Sequence, residues 1–303
     1  MSKPALFPEG HYYSPVVDTD EACRDAGRIW PGLQAIPGID MQEERQRRLL
    51  ADHFPALLRH YAYPRDGPPD EEVDFFYERN SQFAWFDSRA LFCLLQIIRP
   101  RRVVEVGSGY SSLLMSDVNE RFLAGAARIC CIEPYPRPFL EQGDRAGLYE
   151  LLKRRVQDVD ISVFTDLGEG DLLFIDSSHV CKTGSDVAHL YLNVLPRLKP
   201  GVYIHVHDVF LPEDYRQDWV VDENRSWNEQ YVLHALLAEN PNFEVIFGSH
   251  YAFRRFPELI ASALGTAPYG GSSFWFRRRG GSSDGLSAVA GIDPPDPNKK
   301  PSR

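Results

Sequence analysis

Two short stretches hold the residue types best suited to chemistry, Asp176-Ser177-Ser178-His179 and His205-Val206-His207-Asp208. Each ends an apolar run, Leu172 to Ile175 and Gly201 to Val206, that reads as a strand covered on both faces. Asp176, His207 and Asp208 then emerge at strand carboxyl ends, where open α/β sheets bind ligands. Two carboxylates and an imidazole are a competent donor set for Mg²⁺, Mn²⁺ or Fe²⁺; carboxylates favour the harder ions and the imidazole shifts the balance toward transition metals. His179 follows Asp176 at the start of the next turn. His205 alternates with His207 along one strand face and reads as a core histidine.

A third stretch, Val103-Val104-Glu105-Val106-Gly107-Ser108-Gly109-Tyr110-Ser111-Ser112, reads as a buried strand, a glycine turn and a helix from about Ser111. Gly107 and Gly109 let the backbone turn sharply and approach a ligand, since neither carries a Cβ. The helix start offers free N–H groups and the positive end of its dipole. The third glycine of the dinucleotide pattern should fall at Ser112 and is absent. Glu105, inside the strand, suits the ammonium end of an amino-acid-like ligand better than a pyrophosphate.

The spacing Glu105-x-Gly107-x-Gly109 resembles motif I of the class I S-adenosylmethionine-dependent methyltransferases. Glu133, at the end of the next apolar run, Arg128 to Ile132, matches the family's acidic residue that accepts hydrogen bonds from both ribose hydroxyls. The resemblance implies that S-adenosylmethionine is met by Glu105, Gly107, Ser108, Gly109, Tyr110, Ser111, Glu133 and Asp176. It places Tyr135 against the adenine, Asp158 at the adenine amino group, and Asn80, with Tyr77 and Phe83, in a lid over the methionine end.

The Asp176, His179, His207 and Asp208 set is similar to the metal-dependent O-methyltransferases that act on sugars of macrolide and aminocoumarin antibiotics. The likeness implies that Asp176 and Asp208 are metal ligands, with Mg²⁺ or another divalent ion between them, and that His179 is the general base. His207 stands where those enzymes have a carboxylate. The phrases Ile175-Asp176-Ser177-Ser178-His179 and His205-Val206-His207-Asp208 resemble more closely a broad bacterial group of class I methyltransferase-like proteins, over roughly residues 75–278.

The elements that must position these residues follow a strand-helix rhythm, the signature of βαβ units. The predicted fold is α/β: a Rossmann-like, doubly wound, seven-stranded sheet, mostly parallel with one antiparallel strand, plus an N-terminal helical extension. Residues 1–40 read as an irregular arm, Met41 to Tyr61 as a helix, Tyr63 to Pro69 as a loop, and Phe83 to Ile98 as the helix before the first strand. A third strand is expected around Arg155–Val156, a helix over Val187 to Leu195, and final strands over Phe243 to Gly248 and Ser272 to Arg278. Phe210 to Arg225 is a polar-aromatic loop of the kind that carries substrate contacts. A helix opens at Trp227, which makes Trp227, Glu229 and Gln230 pocket candidates; Ser226 as an N-cap is the plain alternative. The expected division is 1–75 arm and helical extension, 76–279 catalytic domain, and 280–303 a Gly/Ser/Pro-rich disordered tail.

The 303 residues carry 33 Lys plus Arg against 43 Asp plus Glu, a net charge of −10. That balance argues against nucleic acid as partner and fits a small-molecule substrate. Five cysteines without a Cys-x-x-Cys pair indicate neither a disulfide framework nor a cysteine zinc site. No signal peptide or membrane span is read, so the expected setting is cytoplasmic; a homo-oligomer stays open. The function expected is O-methylation of a small hydroxylated metabolite. The alternatives are a metal-centred (iron) oxidase or hydrolase on the same fold and a non-catalytic S-adenosylmethionine-binding module; a nicotinamide-dependent oxidoreductase ranks last.

Overall fold

Seven runs rich in branched and aromatic residues form one sheet: β1 (Arg102–Val106), β2 (Arg128–Ile132), β3 (Glu150–Leu152), β4 (Leu172–Ile175), β5 (Tyr203–Val206), β6 (Phe243–Gly248) and β7 (Phe274–Arg278). They are seen in a computed structural model that describes residues 4–69 and 73–280. The spatial order is β3-β2-β1-β4-β5-β7-β6. β1 to β5 pair in parallel, and β7 runs antiparallel to both β5 and β6. All four side chains of β4 are buried, as a central strand packed on both faces requires.

The order reverses between β1 and β4, which makes the carboxyl ends of these two strands the natural ligand crevice. Register sets what lies there. Val106 pairs with both Ile132 and Ile175, and Ile175 pairs with Val206. The next residue of each strand therefore falls in one row: Glu133, Gly107, Asp176, His207. Backbone bonds continue the row past the strands, from Gly107 N–H to the Ile132 carbonyl (3.0 Å), Asp176 N–H to Val106 (2.8 Å) and His207 N–H to Ile175 (2.9 Å).

The third strand lies at Glu150–Leu152, ahead of the expected Arg155–Val156, where a 3₁₀ turn (Val156–Asp158) stands instead. The predicted helix from Met41 is a helix over Glu43–Arg48, a π-turn over Leu49–His53 and a second helix over Phe54–Leu58. Pro55 has no N–H to give the preceding turn, and the wider turn absorbs the loss. The same correction applies to Val187–Leu195, which is a helix over Asp186–His189, a π-turn over Leu190–Val194 and a 3₁₀ turn containing Pro196. The N-terminal arm contains two short helices, Thr19–Arg24 and Ala26–Ile29, the first capped by Asp18 accepting from Glu21 N–H at 2.9 Å.

The N-terminal helices pack on the β6 edge: Arg45 reaches the Val245 carbonyl at 2.9 Å and Glu244 at 3.1 Å. Gln46 Oε1 accepts from Gly248 N–H at 3.1 Å. Phe54 joins Phe86 and Phe247 in the same core as the sheet. Residues 281–303, read from sequence as a tail, lie outside the described residues. Among the described residues no helix is long and apolar enough to cross a membrane.

Candidate active site

A cavity of about 980 Å³ opens over the row of strand ends, at the upper end of the size usual for ligand pockets. Gly107, Ser108, Gly109, Tyr110, Ser111 and Glu133 line one part of it, and Asp176, His179, His207 and Asp208 another. Gly107 has φ +77°, and a Cβ on it would lie 1.7 Å from the Asp176 carbonyl oxygen. Glycine is needed there both for the turn and for the close approach of β1 to β4. Gly109 differs: its φ of −170° is extended, and a Cβ would meet nothing nearer than Gln82 Oε1 at 3.5 Å.

Glu105 does not reach the cavity, so its assignment to a ligand's ammonium is corrected. It is fully buried beneath the turn, where its carboxylate accepts from the Ser111 hydroxyl at 2.6 Å, from the Ser112 hydroxyl and from the Cys131 thiol at 3.3 Å. Ser112 Oγ in turn accepts Gly109 N–H at 3.1 Å. Glu105 thus braces the turn from below. Burial pushes its carboxyl up to about 7, against the pull of Ser111 and Ser112.

Glu133 lines the cavity with Oε1 already accepting from Tyr135 N–H at 2.8 Å. Tyr135 is 85% exposed and stands outside the cavity lining, so the structure does not place it against a bound base. Asp158 is likewise outside; Arg155 grips its carboxylate in two bonds of 2.8 and 3.1 Å. Asn80 is at the cavity wall, but its amide is used within its own loop. It donates to the Tyr77 and Phe83 carbonyls (2.8 and 2.9 Å) and accepts from the Gln82 and Phe83 N–H groups (3.2 and 2.6 Å). Asn80 therefore shapes the wall and has no spare group for a cofactor. Tyr77, behind it, meets the Tyr110 hydroxyl at 3.0 Å.

The strand-end histidines and aspartates do converge. The donor atoms of Asp176, His179 and Asp208 all lie within 4.8 Å of one another. His179 Nε2 is 3.4 Å from both Asp176 Oδ1 and Asp208 Oδ2, and His207 Nδ1 is 3.6 Å from Asp176 Oδ1 and 3.5 Å from Asp208 Oδ1. Each imidazole has a second carboxylate behind it: Glu229 Oε2 at 2.9 Å from His179 Nδ1, and Asp87 Oδ2 at 3.4 Å from His207 Nε2. This carboxylate-imidazole-centre arrangement is how proteins orient metal-binding histidines. His179 and Asp208 sit at φ +60° and +56°, a costly backbone region for any residue with a Cβ and one that clusters at functional sites.

Four carboxylates surround two imidazoles here, and among the described residues their ion pairs are with those imidazoles. Burial opposes charge on His179, yet Asp176 and Glu229 outweigh it and hold the ring up at about 10. His207 is likewise held well above the usual imidazole range against burial, by Asp208 and Asp176. For Asp87, burial is outweighed by His207, which brings the carboxyl down to about 2. Protons on the rings thus compensate the carboxylates, as a divalent cation would. The donor set fits such an ion: hard oxygens with imidazole nitrogens.

His205 is a core residue, as read. It stacks on Phe174 at 3.8 Å, bonds Ser273 Oγ at 2.9 Å, and burial lowers its pKa well below the usual range. Of the later pocket candidates, Trp227 lies 4.4 Å from the His179 ring. Gln230 is buried bracing residues 210–215 through Phe210 N–H (2.9 Å) and Tyr215 OH (3.0 Å). Ser226 is no N-cap of the helix Glu229–Leu237, which Asn228 precedes; its hydroxyl accepts Val17 N–H at 3.0 Å. Asp87 was missed. It lies on the buried face of the helix Trp85–Ile98, between Phe86 and Ala90, and a carboxylate in that apolar stripe is the signal that marks it.

With that geometry in hand, the relatives fall into place. The family profile described as a methyltransferase domain matches residues 104–209, the span from β1 to just past Asp208. A protein of Archaeoglobus fulgidus, described only as uncharacterised, is 36% identical over 169 residues, covering 54% of this chain and 75% of the relative. Similar solved structures include a methyltransferase from Geobacter sulfurreducens (15% identity, 63% of this chain and 78% of that one, TM-score 0.38). Another is the Burkholderia thailandensis 1,6-didemethyltoxoflavin-N1-methyltransferase, solved with 1,6-didemethyltoxoflavin and S-adenosylhomocysteine (16% identity, 64% and 76% coverage, TM-score 0.37). Residues 104–209 are thus a methyltransferase domain.

Proposed function

We propose that the protein transfers a methyl group from S-adenosylmethionine to an oxygen of a small hydroxylated metabolite, aided by a divalent cation. The observation that carries this reading is the convergence of Asp176, His179, His207 and Asp208 in the same cavity as the Gly107 turn. The cofactor supplies an electrophilic methyl on a sulfonium. The protein's task is to align donor and acceptor, which lowers the barrier by several kcal/mol. Gly107 to Ser111 and Glu133 would hold the cofactor, the helix from Tyr110 offering its N-terminal N–H groups.

Asp176, Asp208 and His207 would hold the cation, with Asp87 orienting His207. A bound cation lowers the pKa of an acceptor hydroxyl. His179 Nε2 is then the atom that receives the hydroxyl proton, and Glu229 at Nδ1 fixes the ring. Asp176 and Asp208, two of the three carboxylates that favour a proton on His179, would be neutralised by such a cation, while Glu229 would stay at Nδ1.

Calorimetric titration with S-adenosylhomocysteine, repeated after chelation and with Glu133→Ala, tests the reading. Micromolar-class binding that survives chelation and is lost in the variant is expected. No binding under any condition overturns it. Two imidazoles beside two carboxylates also suit non-haem iron; stoichiometric iron in the purified protein without cofactor binding would select an oxidase instead.

A further inference from the structure

The cavity has a second end, lined by cationic side chains where the first is lined by Asp176 and Asp208. Arg216 and Arg225 both line it, together with Trp219 and Trp227. The Arg225 guanidinium lies 4.2 Å from the centre of the Trp219 ring and 4.8 Å from that of Trp227. Arg216 lies 5.5 Å from the Trp219 ring. Glu223 takes the Nε and Nη2 side of Arg225, and Asp218 pairs with Arg216. Neither acid lines the cavity, and both are about half exposed (46% in each), where ion pairs are weak. Both arginines thus line the cavity while their acidic partners lie outside its lining.

These side chains belong to a separate aromatic cluster. Phe210, Tyr215 and Val220 form its core, with Trp30, Trp219 and Trp227 packed against it. Trp30 Nε1 donates to the Tyr215 carbonyl at 2.7 Å, so the N-terminal arm pins the loop from outside. Trp227 touches both the His179 ring and Arg225. Trp227 therefore bridges the His179 end of the cavity and a stacked guanidinium. Stacked Arg is suited to recognising a carboxylate or phosphate while its neighbours cover an aromatic or sugar face.

We propose that the methyl acceptor is an anionic molecule with a flat ring, its hydroxyl at the Asp176/His179 end and its carboxylate or phosphate on Arg225. This rests on the methyl-transfer reading above and names the substrate class for it. Arg225 and Trp227 are the specificity-determining residues, and Arg216 adds a second positive charge at the mouth.

The test uses the full chain, saturated with S-adenosylhomocysteine and Mn²⁺, and two probes of one shape: 4-hydroxycinnamate and its methyl ester. Calorimetry should show the acid bound at least tenfold more tightly than the ester. Arg225→Gln, which keeps the stem and loses the charge, should bind the two alike, with Arg225→Ala as a second variant. Equal binding of acid and ester by the unaltered protein, binding of neither, or a preference that survives both variants overturns the proposal. S-adenosylhomocysteine affinity measured in the same samples without probe separates the cases. It stays within twofold in a folded variant, and its absence in the unaltered protein overturns the methyl-transfer reading instead.

Discussion

Glu105 places a carboxyl where the protein can least solvate a charge. Its carboxyl is held at about 7, above the ordinary value near 4.3, because burial outweighs the hydroxyl bonds from Ser111 and Ser112. The sign follows from proton linkage: a folded pKa above the unfolded one means the folded state binds more protons between them. The protein then loses stability as pH rises from about 4.5 to above 7, by about 3 kcal/mol in all. Glu105→Gln fixes the neutral form and should flatten the fall in Tm between pH 5 and 8; an unchanged slope would sink this account. The same residue shows what spacing alone conceals. Asp176, His207 and Asp208 were legible because an apolar strand delivers its next residue to the crevice. Glu105 lies inside its strand, where sequence does not tell a carboxylate above the turn from one below it. Asp158 and Tyr135 fall outside the cavity lining for a related reason, since loop residues carry no periodicity to aim them.

Among the elements, the β1 turn is the one with least tolerance. Gly107 combines a left-handed backbone with a site already filled by the Asp176 carbonyl, whereas Gly109 has neither constraint. Gly107→Ala should therefore lower Tm by more than about 5 °C, from strain and forced separation of β1 and β4. Gly109→Ala should leave Tm nearly unchanged and act only on cofactor affinity. Equal Tm losses in the two variants would contradict the geometry. Both glycines look alike in the sequence; the difference arises from β4, which is remote in the chain. β1, β2, β4 and β6 were readable to within a residue, as continuous apolar runs between turn signals. β3 was not, because three residues at a sheet edge, of which Leu151 alone is buried, make too short a pattern. The helices at Pro55 and Pro196 were read as continuous, since periodicity records the apolar face and not the widened turn that keeps it in place.

At the scale of the whole molecule, the cavity is framed by two structures of different kind: a sheet whose rigid end holds the strand-end row, and an aromatic loop pinned by a distant arm. What joins the two halves of the chemistry is the contact between Gly107 and Asp176. Asp176 N–H bonds the Val106 carbonyl, and the Asp176 carbonyl fills the space where Gly107 would carry a side chain. Gly107, proposed to meet the methyl donor, and Asp176, proposed to hold the acceptor end, thus share one piece of backbone. If both places bind as proposed, occupancy at one should be felt at the other, and equilibrium makes that influence equal in both directions. S-adenosylhomocysteine should tighten Mn²⁺ binding by about fivefold or more, and Mn²⁺ should tighten S-adenosylhomocysteine by the same factor; paired calorimetric titrations that give a factor of one would rule this out. On that expectation, the close approach that forbids a methyl group at Gly107 is a coupling, by which each end of the cavity favours occupancy of the other.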